Sequence, residues 1–193
     1  MSTLVERIAE VEGIDATYAS GVARYLREAG LLTQAGRGRG AAHMNITDAA
    51  RLLIGLNASV TAKEAPDYTR KFGELKMIWD EYAKIGGVCE KGQLLLPAIE
   101  NLIELCGQQS LRRKFEQADL EIKIQFNLPV PHVFIHIFET TEDEFCIPDT
   151  KEVARGMYGS NMAKIPFKMM PDKIVTTTIT QRTLLVAADV VAS

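Results

Sequence analysis

Residues 119–138 constrain the fold most. Between Asp119 and Phe126 apolar and polar side chains alternate strictly, Leu120, Ile122, Ile124 and Phe126 against Glu121, Lys123 and Gln125. A strand with one buried face reads this way, because successive side chains leave a strand on opposite sides. His132 to Phe138 alternates as well, with Val133, Ile135 and Ile137 opposite His132, Phe134, His136 and Phe138. Its second set is also largely aromatic, so both faces of this strand read as buried. Asn127-Leu128-Pro129-Val130-Pro131 joins the two runs and predicts a hairpin.

The rest of the second half reads as mixed structure. Lys173 to Thr180 is rich in β-branched residues and predicts a strand. Gln181 to Val191 fits a closing helix or another strand; the helix is favoured because Leu184, Leu185, Ala188 and Val191 match its period. Thr150 to Tyr158 reads as a short helix. A longer helix is expected from Ala62 or Pro66 to Ile85, with Tyr68, Phe72, Leu75, Ile78, Trp79 and Tyr82 along one side and Gly86-Gly87 as its stop. Leu94 to Cys106 is a strongly apolar helix with Pro97 near its first turn. Ser110 to Gln117 continues it or forms a separate short helix.

The first sixty residues have a different pattern. Ser2 or Thr3 caps a first helix with Leu4, Val5, Ile8 and Val11 on one face, and Gly13 ends it. Asp15 is the N-cap of a second helix, whose apolar side is Tyr18, Val22, Tyr25, Leu26 and Ala29, with Gly30 just past its end. Leu31 to Ala35 and Ala41 to Ile46 then read as two short strands around the tip Gly36-Arg37-Gly38-Arg39-Gly40. Thr47 or Asp48 caps a third helix with Ala49, Leu52, Leu53 and Leu56 inward, broken by Asn57-Ala58-Ser59. A domain boundary is expected near Asn57 to Thr61, dividing the chain into residues 1–60 and 61–193.

Two helices, a glycine-arginine hairpin and a third helix, in that order, resemble the winged helix-turn-helix domain of MerR-type transcriptional regulators. The resemblance is carried by Arg24-Tyr25-Leu26 leading to Gly30-Leu31-Leu32, and by Asp48-Ala49-Ala50-Arg51-Leu52-Leu53 after the hairpin. The hairpin, Gly30-Leu31-Leu32 followed by Gly36-Arg37-Gly38, is similar to the wing of GntR-type regulators. The match covers about a third of the chain. No long heptad follows the third helix, as it does in MerR proteins, and the C-terminal region matches no effector domain. The resemblance implies a DNA-binding winged helix and says nothing of an inducer, a metal or a promoter.

The residues themselves give the same reading a physical form. Thr17, Ser20, Gly21 and Arg24 are the outward positions of the second helix, which would enter the major groove. The small residues permit close approach, and Arg24 pairs with guanine or phosphate. Arg27 lies one turn on and reaches phosphate. Arg37 and Arg39 alternate with glycines that allow a tight turn and leave groove entry open. Gln34 and His43 flank the tip and reach the backbone. Arg24, Arg27, Arg37 and Arg39 stand against Glu28 alone between residues 16 and 47. That local excess is the footprint of a reading face. The plainer alternative is a solvated hairpin beside ordinary surface arginines. Tyr18 and Tyr25 read as core or rim.

Composition bounds the rest. The formal charge is −3 over 193 residues, so a DNA-binding face must be local. Cys89, Cys106 and Cys146 are odd in number and widely spaced, which suits reduced thiols in a cytosol. No apolar run of about 18 residues predicts a membrane span, and the first residues lack the pattern of a signal peptide. A cytoplasmic location is the expectation. No phosphate-binding glycine signature and no Gly-x-Ser-x-Gly elbow occurs, so no catalytic residue, metal or cofactor is expected. His132 and His136, with Cys146 beyond them, offer a weak metal or hydrolase alternative. On a strand the two histidines lie about 13 Å apart, too far to share one ion.

These readings predict an α+β chain: an N-terminal winged helix-turn-helix, a helical linker, and an α+β C-terminal domain. The expected function is a sequence-specific transcriptional regulator bound to double-stranded DNA as a homodimer on a palindrome, of the kind a phage or prophage encodes. A small ligand or protein partner would bind the C-terminal domain. The alternative is a phage-type inhibitor, whose winged helix serves autoregulation or partner binding.

Overall fold

In chain order the elements are α1 (Thr3–Glu12), α2 (Ala16–Glu28), α3 (Ile46–Ala58), α4 (Ala65–Gly73), β1 (Met77–Tyr82), α5 (Leu95–Gly107), α6 (Gln109–Glu116), β2 (Leu120–Leu128), β3 (His132–Glu142), β4 (Pro148–Gly159), β5 (Val175–Thr180) and α7 (Gln181–Val191). They are taken from a computed structural model that describes residues 3–33, 44–82, 90–117, 119–142, 148–159 and 174–192. Among the described residues the fold is α+β, seven helices and one antiparallel sheet of order β1-β4-β3-β2-β5.

The hairpin forms where alternation predicts it. β2 and β3 pair in unbroken register from Leu120↔Glu139 to Asn127↔His132. Leu120, Ile122, Ile124 and Phe126 are buried on the inner face with Val133, Ile135 and Ile137, joined by Ala154, Tyr158 and Ile179 from the flanking strands. Helices cover that face; Phe72 of α4 meets Phe126 with ring centroids 6.2 Å apart. The second face of β3 is half-buried rather than buried. Its rings shelter one another along the strand, His132 to Phe134 at 5.6 Å, Phe134 to His136 at 5.8 Å and His136 to Phe138 at 6.1 Å.

Two expected helices are strands. The helix predicted to reach Ile85 stops at Gly73, and Met77–Tyr82 forms β1 along β4. The turn between them is tied down by Met77 N–H on Gln93 O (2.8 Å) and Leu95 N–H on Leu75 O (2.9 Å). Thr150 to Tyr158 lies within β4, bonded to β3 on one side and β1 on the other. Ladder bonds on both edges outweigh a helical period that nothing else in the segment enforces.

Local signals elsewhere hold. Asp15 caps α2 by accepting Tyr18 N–H at 2.9 Å. Gly13 and Gly30 adopt φ of +66° and +70° as they end α1 and α2, a region that favours glycine. α6 is separate from α5, and residues 181–191 are helical. The cap of α3 differs: Asn45, not Thr47 or Asp48, accepts Asp48 N–H at 2.8 Å, while Asp48 Oδ2 accepts Asn45 N–H at 3.2 Å. This is a reciprocal capping box, and α3 starts at Ile46. The strands expected around the glycine tip do not appear at residues 31–33 or 44–45, and residues 34–43 lie outside the described residues.

α3 is buried over most of its length and packs on α2, α4, α5 and α7. α1 packs on α7, so one core runs from Leu4 to Ala188 past the turn at residues 59–64. Arg112 of α6 grips the Asp189 carboxylate of α7 with both terminal nitrogens, one bond measuring 3.1 Å. That guanidinium holds the Asp189 carboxyl below its usual range. Cys106 is a buried free thiol, and burial pushes it up to about 12; Cys89 and Cys146 lie outside the described residues. Among the described residues no helix is long and apolar enough to cross a membrane.

Candidate nucleic-acid interface

α2 buries Ala19, Val22, Ala23 and Leu26 and turns a stripe outward. Thr17 and Arg24 are exposed on that stripe, and Ser20 and Arg27 are half-buried beside them. Positions three and four apart share a helix face, which brings these four together. Ser20 Oγ donates to Ala16 O at 2.6 Å. The Arg24 guanidinium lies 4.7 Å from the centroid of Tyr25, and its Nε is 3.7 Å from Glu28 Oε1. Exposed pairs of this kind contribute little, about 0–1 kcal/mol, so Arg24 can exchange Glu28 for an outside partner at small cost.

Gly21 does not belong to the open stripe. A Cβ there would meet Ala62 Cβ at 3.2 Å, so the missing side chain serves packing against the α3–α4 turn. Tyr18 belongs to the same seam as a rim residue, donating its hydroxyl to Ser59 O at 3.1 Å.

One buried carboxylate binds the described residues on either side of segment 34–43. Asp48 Oδ1 accepts Thr33 N–H at 2.9 Å, and Oδ2 accepts Asn45 N–H at 3.2 Å. Arg51, one turn further along α3, donates to Leu31 O at 2.8 Å. Arg70 of α4 donates to Ala29 O at 3.2 Å, at the C-terminal end of α2. Cations suit that end, where helix carbonyls lack partners. Gln34, Arg37, Arg39 and His43 lie in the segment these bonds enclose, outside the described residues. The clamping role of Asp48 and Arg51 and the place of Arg70 escape a reading of the sequence. The spacing Asn45-x-x-Asp48 signals the local capping box alone, and no spacing signals the bond to Thr33.

The other titratable cluster lies on the outer face of the sheet. His136 Nδ1 is 2.6 Å from Glu152 Oε1. Arg155 Nε donates to the same oxygen at 2.9 Å, and its Nη2 donates to Oε2. Burial raises the Glu152 carboxyl, but the Arg155 and His136 hydrogen bonds outweigh it and leave it below its usual range. His132 Nδ1 is 2.8 Å from Val130 O. The two histidines share one strand face, and among the described residues no three His, Cys, Asp or Glu side chains are grouped to hold a metal.

No protein-family model, curated protein or solved structure matches the chain.

Proposed function

We propose that this chain is a transcriptional regulator that binds duplex DNA through the outer stripe of α2 and the adjoining glycine-arginine loop, as a homodimer on a palindromic site. The observation that carries this reading is the double clamp of Asp48 on Thr33 and Asn45. It ties the stems of a segment carrying Arg37 and Arg39 beside the end of the helix that carries Arg24 and Arg27. A reading helix and a basic segment whose two ends are tied to the same scaffold can engage a groove and its flanking phosphates together. A single small head makes few base contacts, and a two-fold pair doubles them.

The test is a salt titration of binding to labelled fragments from around the protein's own gene, against random duplex of equal length. Tight binding to one fragment with a steep salt slope is expected. Equal, weak binding to both would overturn the proposal.

A second reading, a protein-interaction module, draws on the outer face of the sheet. Its half-buried rings on β3 stand among charges that are already paired, Lys123 with Glu121 at 3.1 Å and Arg155 with Glu152. A ring-rich face whose neighbouring charges pair with one another suits a protein surface better than a polyanion.

A further inference from the structure

The sheet has two edges, and they are unlike. The register of β1 with β4 shifts between Met77 and Trp79. Charges and irregular register are the means by which sheet edges avoid pairing with other chains. β5 has neither. Its six residues, Val-Thr-Thr-Thr-Ile-Thr, contain no charge, proline or glycine. They pair with β2 in unbroken register from Leu128↔Val175 to Lys123↔Thr180. Val175 is 44% exposed and the preceding Ile174 60%. Among the described residues no strand pairs with the outer side of β5. Every second residue of such a strand turns its N–H and C=O outward, a ready template for another strand.

We propose that two copies of this chain join through β5, edge to edge and antiparallel, in one continuous sheet. The occupant follows from symmetry and chemistry. A strand meeting its own copy antiparallel obeys a two-fold axis, so length and side-chain chemistry match by construction. Directly opposed residues in an antiparallel pair point to the same face. An axis normal to the sheet through Thr177 or Thr178 therefore keeps Val175, Thr177 and Ile179 on the inner face of both copies. Threonine faces threonine at the centre, a favourable cross-strand pair. α7 begins at Gln181, whose Oε1 accepts Ile122 N–H at 3.2 Å, and the chain leaves the edge there. The same axis puts both helical layers on one side of the joined sheet. The pairing thereby supplies the homodimer named under the proposed function, and it rests on that reading only for its use.

The test is made on the full chain without DNA, so it stands or falls apart from DNA binding. Sedimentation velocity across the micromolar range should show a reversible dimer. Hydrogen exchange of alternate amides in residues 175–180 should slow as concentration rises. The double variant Thr176→Lys, Thr178→Lys places ammonium groups at exposed outer-face positions of that edge, where lysine is well tolerated in a folded monomer. It should raise the dimer dissociation constant by about tenfold or more and lower the monomer's melting temperature no further than Thr176→Ala, which loses the same Thr176 Oγ1 bond to Asn127 Oδ1. A wild-type protein that stays monomeric at every concentration overturns the proposal. So does a dimer that the double variant does not weaken and that leaves β5 exchange independent of concentration. A dimer that ignores DNA overturns the DNA reading alone.

Discussion

The Asp48 carboxylate accepts the backbone N–H of Thr33 at 2.9 Å from fifteen residues away in sequence. Its second oxygen accepts Asn45 N–H, and the side chain is buried. Asp48→Ala removes half of the capping box and releases two N–H groups. A lost cap costs about 1 kcal/mol, and the two N–H groups lie on exposed residues where water can replace the carboxylate. The expected loss of stability is about 1–2 kcal/mol, read as a lower urea midpoint at unchanged slope. Asp48→Asn should cost less, because one oxygen remains. A loss no larger than that of the exposed control Asp67→Ala would refute the clamp.

Arg24 and the loop arginines should differ in what they contribute to DNA binding. Arg24→Ala is expected to weaken the specific fragment more than random duplex. Arg37→Ala with Arg39→Ala should weaken both alike and reduce the salt slope by about two, one for each phosphate no longer neutralised. Fluorescence anisotropy on both duplexes at several salt concentrations separates the cases. Uniform weakening by Arg24→Ala would remove it from base readout.

Glu12 makes stability depend on pH. Its Oε2 accepts Asn57 Nδ2–H at 3.1 Å, whereas Glu12 Oε1 and Asn57 Oδ1 are buried without a partner among the described residues. Burial pushes the carboxyl up to about 7 from an ordinary 4.5, against the Asn57 and Thr183 hydrogen bonds. Between those values the folded protein keeps a proton that the unfolded chain has released. Stability from this group is therefore complete below pH 4.5 and falls as pH rises to 7. Glu12→Gln should abolish that fall and gain up to about 3 kcal/mol above neutrality, with little effect in acid. Urea midpoints of both proteins across the window check the slope. Parallel curves would show that Glu12 is ionised in the fold.

Gly55 is a packing requirement. A Cβ there would lie 3.0 Å from Leu26 Cδ1, 3.0 Å from Thr69 Oγ1 and 3.3 Å from Val22 Cγ1. Helix propensity alone predicts that Gly55→Ala stabilises by about 1 kcal/mol. Overpacking against α2 and α4 predicts a loss of about 1–3 kcal/mol. A lower melting temperature is the expected result, and a higher one would show that α2 can move away freely.

Much of the fold is legible where a local rule acts alone. Asp15, Gly13 and Gly30 mark helix ends because capping and positive φ are properties of a few adjacent residues. β2 and β3 are legible because Leu120, Ile122 and Ile124 set a two-residue period that no helix can bury. On the candidate interface, Thr17, Ser20, Arg24 and Arg27 fall on one face of α2 as their spacing requires. Gly21 reads as an open position in the sequence and is a packed one in the fold, because its neighbour, Ala62, comes from another element. Asp48 reads as a simple cap because its partner Thr33 lies across a loop.

By itself, then, the sequence determined the Asp15 cap, the glycine ends of α1 and α2, the amphipathic faces of α1 to α3, and the β2–β3 hairpin, all of them products of short-range sterics and periodicity. Only the tertiary structure decided that Met77–Tyr82 and Pro148–Gly159 are strands and that α1 closes against α7. Both segments carry apolar residues at spacings that suit either state. The choice fell to backbone groups of β3 and β4 that needed partners, and such bonds join residues far apart in the chain.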